Sequence, residues 1–179
     1  MKIRRICINV GPCGGKSALA SWLYSELTFA DYRIQLVTEY VKQWAYIGRV
    51  PKTWDQLYLF SKQVDKEYSF LNSGEVDLIV SDCPLLMVCA YAIKNGCPFV
   101  NELLDLSKKF DENYPAMHLF LDRSGIPYRT EGRFQTYEQA VELDNIIENT
   151  MKEHLPSYSK VRTRDRYEIL GQILKEIKS

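Results

Sequence analysis

Gly11-Pro12-Cys13-Gly14-Gly15-Lys16-Ser17 stands between an apolar run, Lys2 to Val10 (KIRRICINV), and a stretch from Lys16 to Phe29 with Leu19, Ala20, Leu23 and Leu27 at helical spacing. Strand, glycine-rich turn and helix, in that order, are the setting in which such a turn holds phosphate. The glycines let successive backbone N–H groups turn inward around phosphate oxygens. The helix opening near Lys16 adds the positive end of its dipole. Lys16 reaches the β- and γ-phosphates as a point charge, and the Ser17 hydroxyl suits Mg²⁺. Gly11, Pro12, Cys13, Gly14, Gly15, Lys16, Ser17 and Ala18 are therefore the candidate nucleotide-binding residues. One feature departs from the strict pattern: the residue five before Gly15 is Val10, and the glycine falls one place later, at 11.

The same alternation continues along the chain. Ile34 to Thr38 (IQLVT), Val76 to Ser81 (VDLIVS), Met117 to Leu121 (MHLFL) and Tyr158 to Arg162 are short strand candidates. Between them, Thr53 and Gln56 form a capping-box pattern ahead of a helix carrying Leu57, Phe60, Val64, Tyr68 and Leu71. Pro84 suits a helix start for Leu85 to Ile93, and Val100 to Phe110 reads as helix. Thr136 and Gln139 make a second capping box, behind which Ala140, Leu143, Ile147 and Met151 form an apolar stripe. Asp165 is placed to cap a last helix with Ile169, Ile173 and Ile177. Apolar strands separated by helices predict an α/β fold with a parallel sheet covered on both faces.

The 179 residues fit one domain, 1–179. Lys+Arg and Asp+Glu are 23 each, so no formal net charge remains. That excludes a strongly basic coat for nucleic acid while leaving room for a local basic strip. The five cysteines, at 7, 13, 83, 89 and 97, form no C-x-x-C pair, and His118 and His154 lie far apart, so no zinc pattern exists. No signal peptide or membrane-spanning run is visible, and the expected compartment is the cytoplasm.

Three strand candidates end near carboxylates, Glu39, Asp82 and Asp122, where ligands gather in parallel sheets. Asp82 is the candidate second acid, holding Mg²⁺ with Ser17 or aiding the acceptor. Asp122 reads as structural. The loop 123–135 carries Arg123, Arg129 and Arg133. Guanidinium forks match phosphate oxygens, and Arg129 and Arg133 are the central candidates for stabilising transferring charge. Arg123 is the one expected to pair with acids at the sheet edge. The basic tail Lys160 to Arg166 is a possible nucleic-acid strip. Aromatics from Tyr40 to Phe60, with Tyr58 and Gln63, are candidates to meet a base.

The loop resembles the G-P-C-x-G-K-[ST] of small P-loop kinases. Thr38-Glu39-Tyr40-Val41-Lys42-Gln43-Trp44 resembles the T-E-P-V-x-x-W of deoxynucleoside kinases, with Tyr40 in place of proline. The Gly132-Arg133-Phe134 loop and its helix resemble nicotinamide riboside kinase domains of the NadR type. The resemblance implies a three-layer P-loop kinase fold, five parallel strands in the order 2-3-1-4-5, an arginine lid over 123–135, and Mg²⁺-ATP as donor. It implies γ-phosphoryl transfer to a hydroxyl or phosphate of a nucleoside- or nucleotide-like small molecule, with Lys16, Glu39, Asp82, Arg129 and Arg133 as catalytic residues. Two alternatives stay open: a kinase for a hydroxyl on a modified base of DNA or RNA, and an ATPase switch with no phosphoryl acceptor.

Overall fold

The computed structural model describes residues 3–129 and 135–178. In chain order the elements are β1 (Arg5–Asn9), α1 (Lys16–Phe29), β2 (Ile34–Val37), α2 (Lys42–Tyr46), α3 (Asp55–Leu71), β3 (Leu78–Ser81), α4 (Leu85–Lys94), α5 (Val100–Asn113), β4 (Ala116–Asp122), α6 (Tyr137–His154), β5 (Ser159–Arg162) and α7 (Arg166–Lys178). The five strands form one sheet in the order β2-β3-β1-β4-β5, parallel throughout. The expected architecture is therefore present.

Alternation along the strands divides the sheet into two unlike faces. Ile6, Ile8, Leu78, Val80, Leu119 and Leu121 pack against α1 and α7 through Leu19, Leu23, Leu27, Ile169 and Ile173, an almost wholly apolar layer. The opposite face turns Arg5, Cys7, Asn9, Ser81, His118 and Phe120 toward α3 to α6, and all six are buried. The polar groups on that face are joined by ion pairs and hydrogen bonds. Arg5 Nε lies 2.8 Å from Glu67 Oε2, and its Nη1 donates to Asp111. Asp111 Oδ2 meets His118 Nε2 at 3.1 Å. Burial works against the Arg5 charge, and the carboxylates of Glu67 and Asp111 help hold the guanidinium well above its ordinary pKa.

Helix α6 follows its sequence signals. The Thr136–Gln139 capping box closes in both directions, and Ala140, Leu143, Ile147 and Met151 are buried. Helix α3 does not. It starts at Asp55 with no side-chain cap, so the expected Thr53–Gln56 box is absent. The Asp55 carboxylate instead accepts from the Lys52 N–H at 2.8 Å, and Gln56 is turned inward. The inward face is Gln56, Leu59, Phe60, Gln63, Glu67 and Leu71, while Leu57 and Tyr68 of the expected stripe are 45% and 46% exposed. The helix is rotated so that Glu67 meets Arg5, a pairing that apolar periodicity cannot reveal.

Helix α2, absent from the strand-and-helix reading, occupies five residues after Glu39. Among the described residues no helix is long and apolar enough to cross a membrane. All five cysteines are unbridged. Burial pushes the Cys89 thiol up to about 12 and raises Cys7 and Cys83 as well, as expected of packing residues.

Candidate active site

The turn after β1 has the shape its glycines predict. Gly15 takes φ +89° as the residue before α1, and a side chain there would also strike the Thr163 methyl at 2.5 Å. Leu19 N–H donates back to the Gly15 carbonyl, starting the helix. Lys16 is buried, and its Nζ donates to the carbonyls of Val10 (2.8 Å) and Gly11 (3.2 Å). The ammonium is thus held at the loop itself.

The glycine at 11 has its own reason. A Cβ there would lie 2.7 Å from Asp144 Oδ1 and 2.9 Å from the Ala140 carbonyl. Helix α6 approaches the loop so closely that only glycine fits, and the Gly11 N–H donates to Asp144 Oδ1 at 2.6 Å. Val10, one place earlier, is fully buried in the α1 layer, where its side chain serves the core. The shifted glycine follows from what each position touches.

Ser17 Oγ donates to Asp82 Oδ2 at 2.7 Å. Asp82 is buried, and its Oδ1 has no hydrogen-bond partner among the described residues. A buried, unsatisfied carboxylate oxygen is costly. Beside a serine hydroxyl at a phosphate loop, it completes an all-oxygen donor pair suited to Mg²⁺. Glu39 follows β2, the strand paired with β3 at Val37↔Ser81, so the two acids leave neighbouring strand ends. Their surroundings differ. Glu39 lines the main cleft of about 850 Å³. Asp82 lines a smaller cavity of about 330 Å³ that shares Ser17, Glu39 and Lys42 with the cleft. Asp122 lines neither; it accepts from the N–H and Oγ of Ser124 at 2.9 and 2.6 Å, a turn role that holds its carboxyl below the usual range.

Of the loop arginines, Arg129 lines the cleft beside the phosphate loop, where its carbonyl accepts from the Cys13 thiol at 2.9 Å. Arg133, with Gly132, lies outside the described residues. Arg123 pairs with Asp144 of α6 rather than with an acid at the sheet edge, and its Nη1 donates to the Pro12 carbonyl at 2.9 Å. The cations of the tail are engaged internally. Lys160 pairs with Glu148 and Arg162 with Asp165, Arg164 donates to the Gly125 carbonyl, and Arg166 lies over Trp22. Thr163 Oγ1 donates to the Gly14 carbonyl at 3.0 Å, fastening this connection to the phosphate loop.

The cleft runs from Pro12–Ala18 to a wall built by α2, α3 and α4, which includes Tyr40, Gln56, Leu59, Gln63, Cys83 and Tyr91. Gln63 Nε2 donates to Glu67 Oε1 (2.9 Å) and Ser81 Oγ (3.2 Å). A carboxylate accepts only, so the amide nitrogen must face Glu67, which leaves the Gln63 carbonyl as the group to meet a ligand. Tyr40 and Tyr58 share a 2.9 Å hydrogen bond, and Trp44 stacks on Tyr58 with 14° between the rings. Trp44 is core, and of the three only Tyr40 lines the cleft.

Sequence reasoning missed Asp144, Thr163, Glu67 and the inward turn of Gln56. Asp144 did carry a signal: it falls four residues after Ala140 and three before Ile147, on the face of a buried stripe. A carboxylate at such a position calls for a cation.

Solved structures share the fold. NadR in complex with NAD and AMP-PNP matches with a TM-score of 0.72 at 13% identity, over 99% of this chain and 50% of that one. NadR in complex with NR matches with 0.69 at 15% identity, over 89% and 45%. Thymidylate kinase from Candida albicans matches with 0.63 at 17% identity, over 99% and 92%. The chain thus spans about half the length of the NadR chains it matches. Curated protein sequences give no match. A family model described as an AAA domain (AAA_28) matches residues 5–168, from β1 into α7, and the chain belongs to that family.

Proposed function

We propose that the protein is an ATP-dependent phosphotransferase whose acceptor is a nucleoside- or nucleotide-like small molecule. The observation that carries this reading is one cleft joining a phosphate loop to a mixed polar and aromatic wall, with Glu39 on that wall. A nucleotide switch needs the loop. It has no use for a cleft that runs on from the loop to such a wall.

In this reading the N–H groups of the loop and the start of α1 bind the donor phosphates. Lys16 neutralises charge on the transferring group, and Arg129, which lines the same cleft, adds a guanidinium to it. Ser17 and Asp82 would hold Mg²⁺, which supplies charge neutralisation on the phosphates when bound. Glu39, on the acceptor side, orients or deprotonates the attacking hydroxyl. Asp82 is assigned to the metal rather than to the acceptor because it faces the smaller cavity beside Ser17. Phosphoryl transfer depends mainly on position and electrostatics, so Glu39 need not be a strong base. Arg133 is proposed as a second lid arginine from the sequence alone. Among the described residues, the paired cations of the tail give no support to a nucleic-acid acceptor.

The test is ATP consumption across nucleosides, nucleoside monophosphates, nicotinamide riboside and modified oligonucleotides. Stimulation by a small acceptor, abolished in Lys16→Ala with the fold intact by circular dichroism, is the expected result. Consumption that no acceptor stimulates would favour the switch, and stimulation only by oligonucleotides would favour the polymer substrate.

A further inference from the structure

Three groups close a ring behind the phosphate loop. Asp144 Oδ1 accepts from the Gly11 N–H at 2.6 Å and from Arg123 Nη2 at 2.8 Å. Asp144 Oδ2 accepts from Arg123 Nε. Arg123 Nη1 reaches on to the Pro12 carbonyl at 2.9 Å. Both side chains are largely buried, 12% and 14% exposed, and neither lines the cleft.

We propose that Asp144 and Arg123 are a positioning pair that sets the phosphate loop in its nucleotide-binding shape without touching the nucleotide. The proposal rests on the loop being a nucleotide site and not on the identity of any acceptor. A phosphate cradle needs backbone N–H groups turned inward and carbonyls turned away. Arg123, outside the cleft, draws the Pro12 carbonyl toward itself and so away from the anion. Asp144 fixes the Gly11 N–H on the same outer side, which leaves the loop from Cys13 onward to meet the phosphates. The charges also have an order of importance. Asp144 alone would place a carboxylate directly behind a polyphosphate site, and Arg123 cancels it through a bidentate pair. Loss of Arg123 therefore does more than loosen the loop; it leaves a repulsive charge in place.

That asymmetry gives a readout that a purely structural role would not move. Mg²⁺-ATP affinity is measured by calorimetry for the wild type, Asp144→Ala, Asp144→Asn, Arg123→Ala, Arg123→Lys and the double variant Arg123→Ala/Asp144→Asn. Thermal midpoints are taken on the same samples. Arg123→Ala is expected to weaken binding by about tenfold or more, with Asp144→Asn milder because its amide oxygen still accepts from Gly11. The double variant should bind ATP more tightly than Arg123→Ala alone, since it removes the bare carboxylate. Raising the salt should narrow the deficit of Arg123→Ala. Wild-type affinity in both Asp144→Ala and Arg123→Ala would overturn the proposal. So would losses that only follow the thermal midpoint, or a double variant no better than Arg123→Ala. If the alanine variants do not fold, Asp144→Asn and Arg123→Lys carry the test: Lys keeps the charge and loses the fork to Pro12, so normal affinity in both would be decisive against the pair. A wild type that binds ATP with no acceptor-stimulated turnover would sink the phosphotransferase reading and leave this one standing. A wild type that does not bind ATP would sink both.

Discussion

Helices α3 and α6 pack against the same face of the sheet and are almost equal in length, at 17 and 18 residues, yet they bury opposite chemistry. Helix α6 is closed by a capping box and turns Ala140, Leu143, Ile147 and Met151 to the core. Helix α3 has no side-chain cap and turns Gln56, Gln63 and Glu67 inward among its apolar residues. The first is built for stability, with Asp144 the exception that reaches the phosphate loop. The second gives up apolar burial so that carboxamides can line the cleft. What makes this tolerable is that Glu67 and Gln63 are satisfied by Arg5 and Ser81.

The comparison can be broken at its strongest point by Glu67→Ala. It leaves Arg5 deep in the core with a partner missing, and unfolding in denaturant should show a loss of about 3–5 kcal/mol. A change below about 1 kcal/mol would mean the network is not what holds α3. On α6, Leu143→Ala should cost about 2–5 kcal/mol through the cavity it opens, with acceptor KM unchanged.

Gln56→Leu sharpens the contrast further. Gln56 is buried at the cleft wall and donates or accepts no side-chain hydrogen bond with the described residues. Its replacement should leave stability within about 1 kcal/mol of wild type while raising acceptor KM about three- to tenfold, the worth of one hydrogen bond. Unchanged KM would remove Gln56 from the acceptor wall. A smaller contrast lies at the helix starts. Thr136→Ala should cost about 1 kcal/mol by denaturant unfolding, whereas Thr53→Ala should cost nothing measurable, because only the first threonine caps.

Acid gives the gentlest effect. Burial pushes the Asp111 carboxyl up, but the His118 hydrogen bond and the Arg5 charge outweigh it and hold its pKa below the ordinary value. Glu148 of α6 is likewise held low, burial being outweighed by Lys160. A depressed carboxylate stabilises fully above its unfolded pKa, about 4, and that contribution fades as pH falls through the folded value. Stability measured from pH 6 down to pH 3 should therefore decline. The decline should flatten in Asp111→Asn more than in Glu148→Gln, since the Lys160 partner of Glu148 is more than half exposed. Equal slopes in both variants would contradict the contrast between the buried network around Arg5, which Asp111 of α5 shares with Glu67 of α3, and the exposed pair on α6.

Much of this was legible in the chain. The apolar strands, the phosphate loop and the α6 signals are local: each follows from neighbours in sequence, from periodicity, or from a side chain capping a backbone three residues away. The turn role of Asp122 was legible too, since its partner Ser124 is two residues away. The inward face of α3 was not legible, because its rotation is set by Arg5, 62 residues from Glu67. Nor was the role of Arg123, whose partner Asp144 lies 21 residues on.

The sequence by itself determined the alternating architecture and the place of the phosphate loop, because backbone propensity and glycine geometry act within a few residues. Only the tertiary structure decided why glycine stands at 11, which acid lines the cleft, and which face of α3 looks inward. Those answers depend on groups far apart in the chain being packed into contact, where a buried charge must find its partner or destabilise the fold.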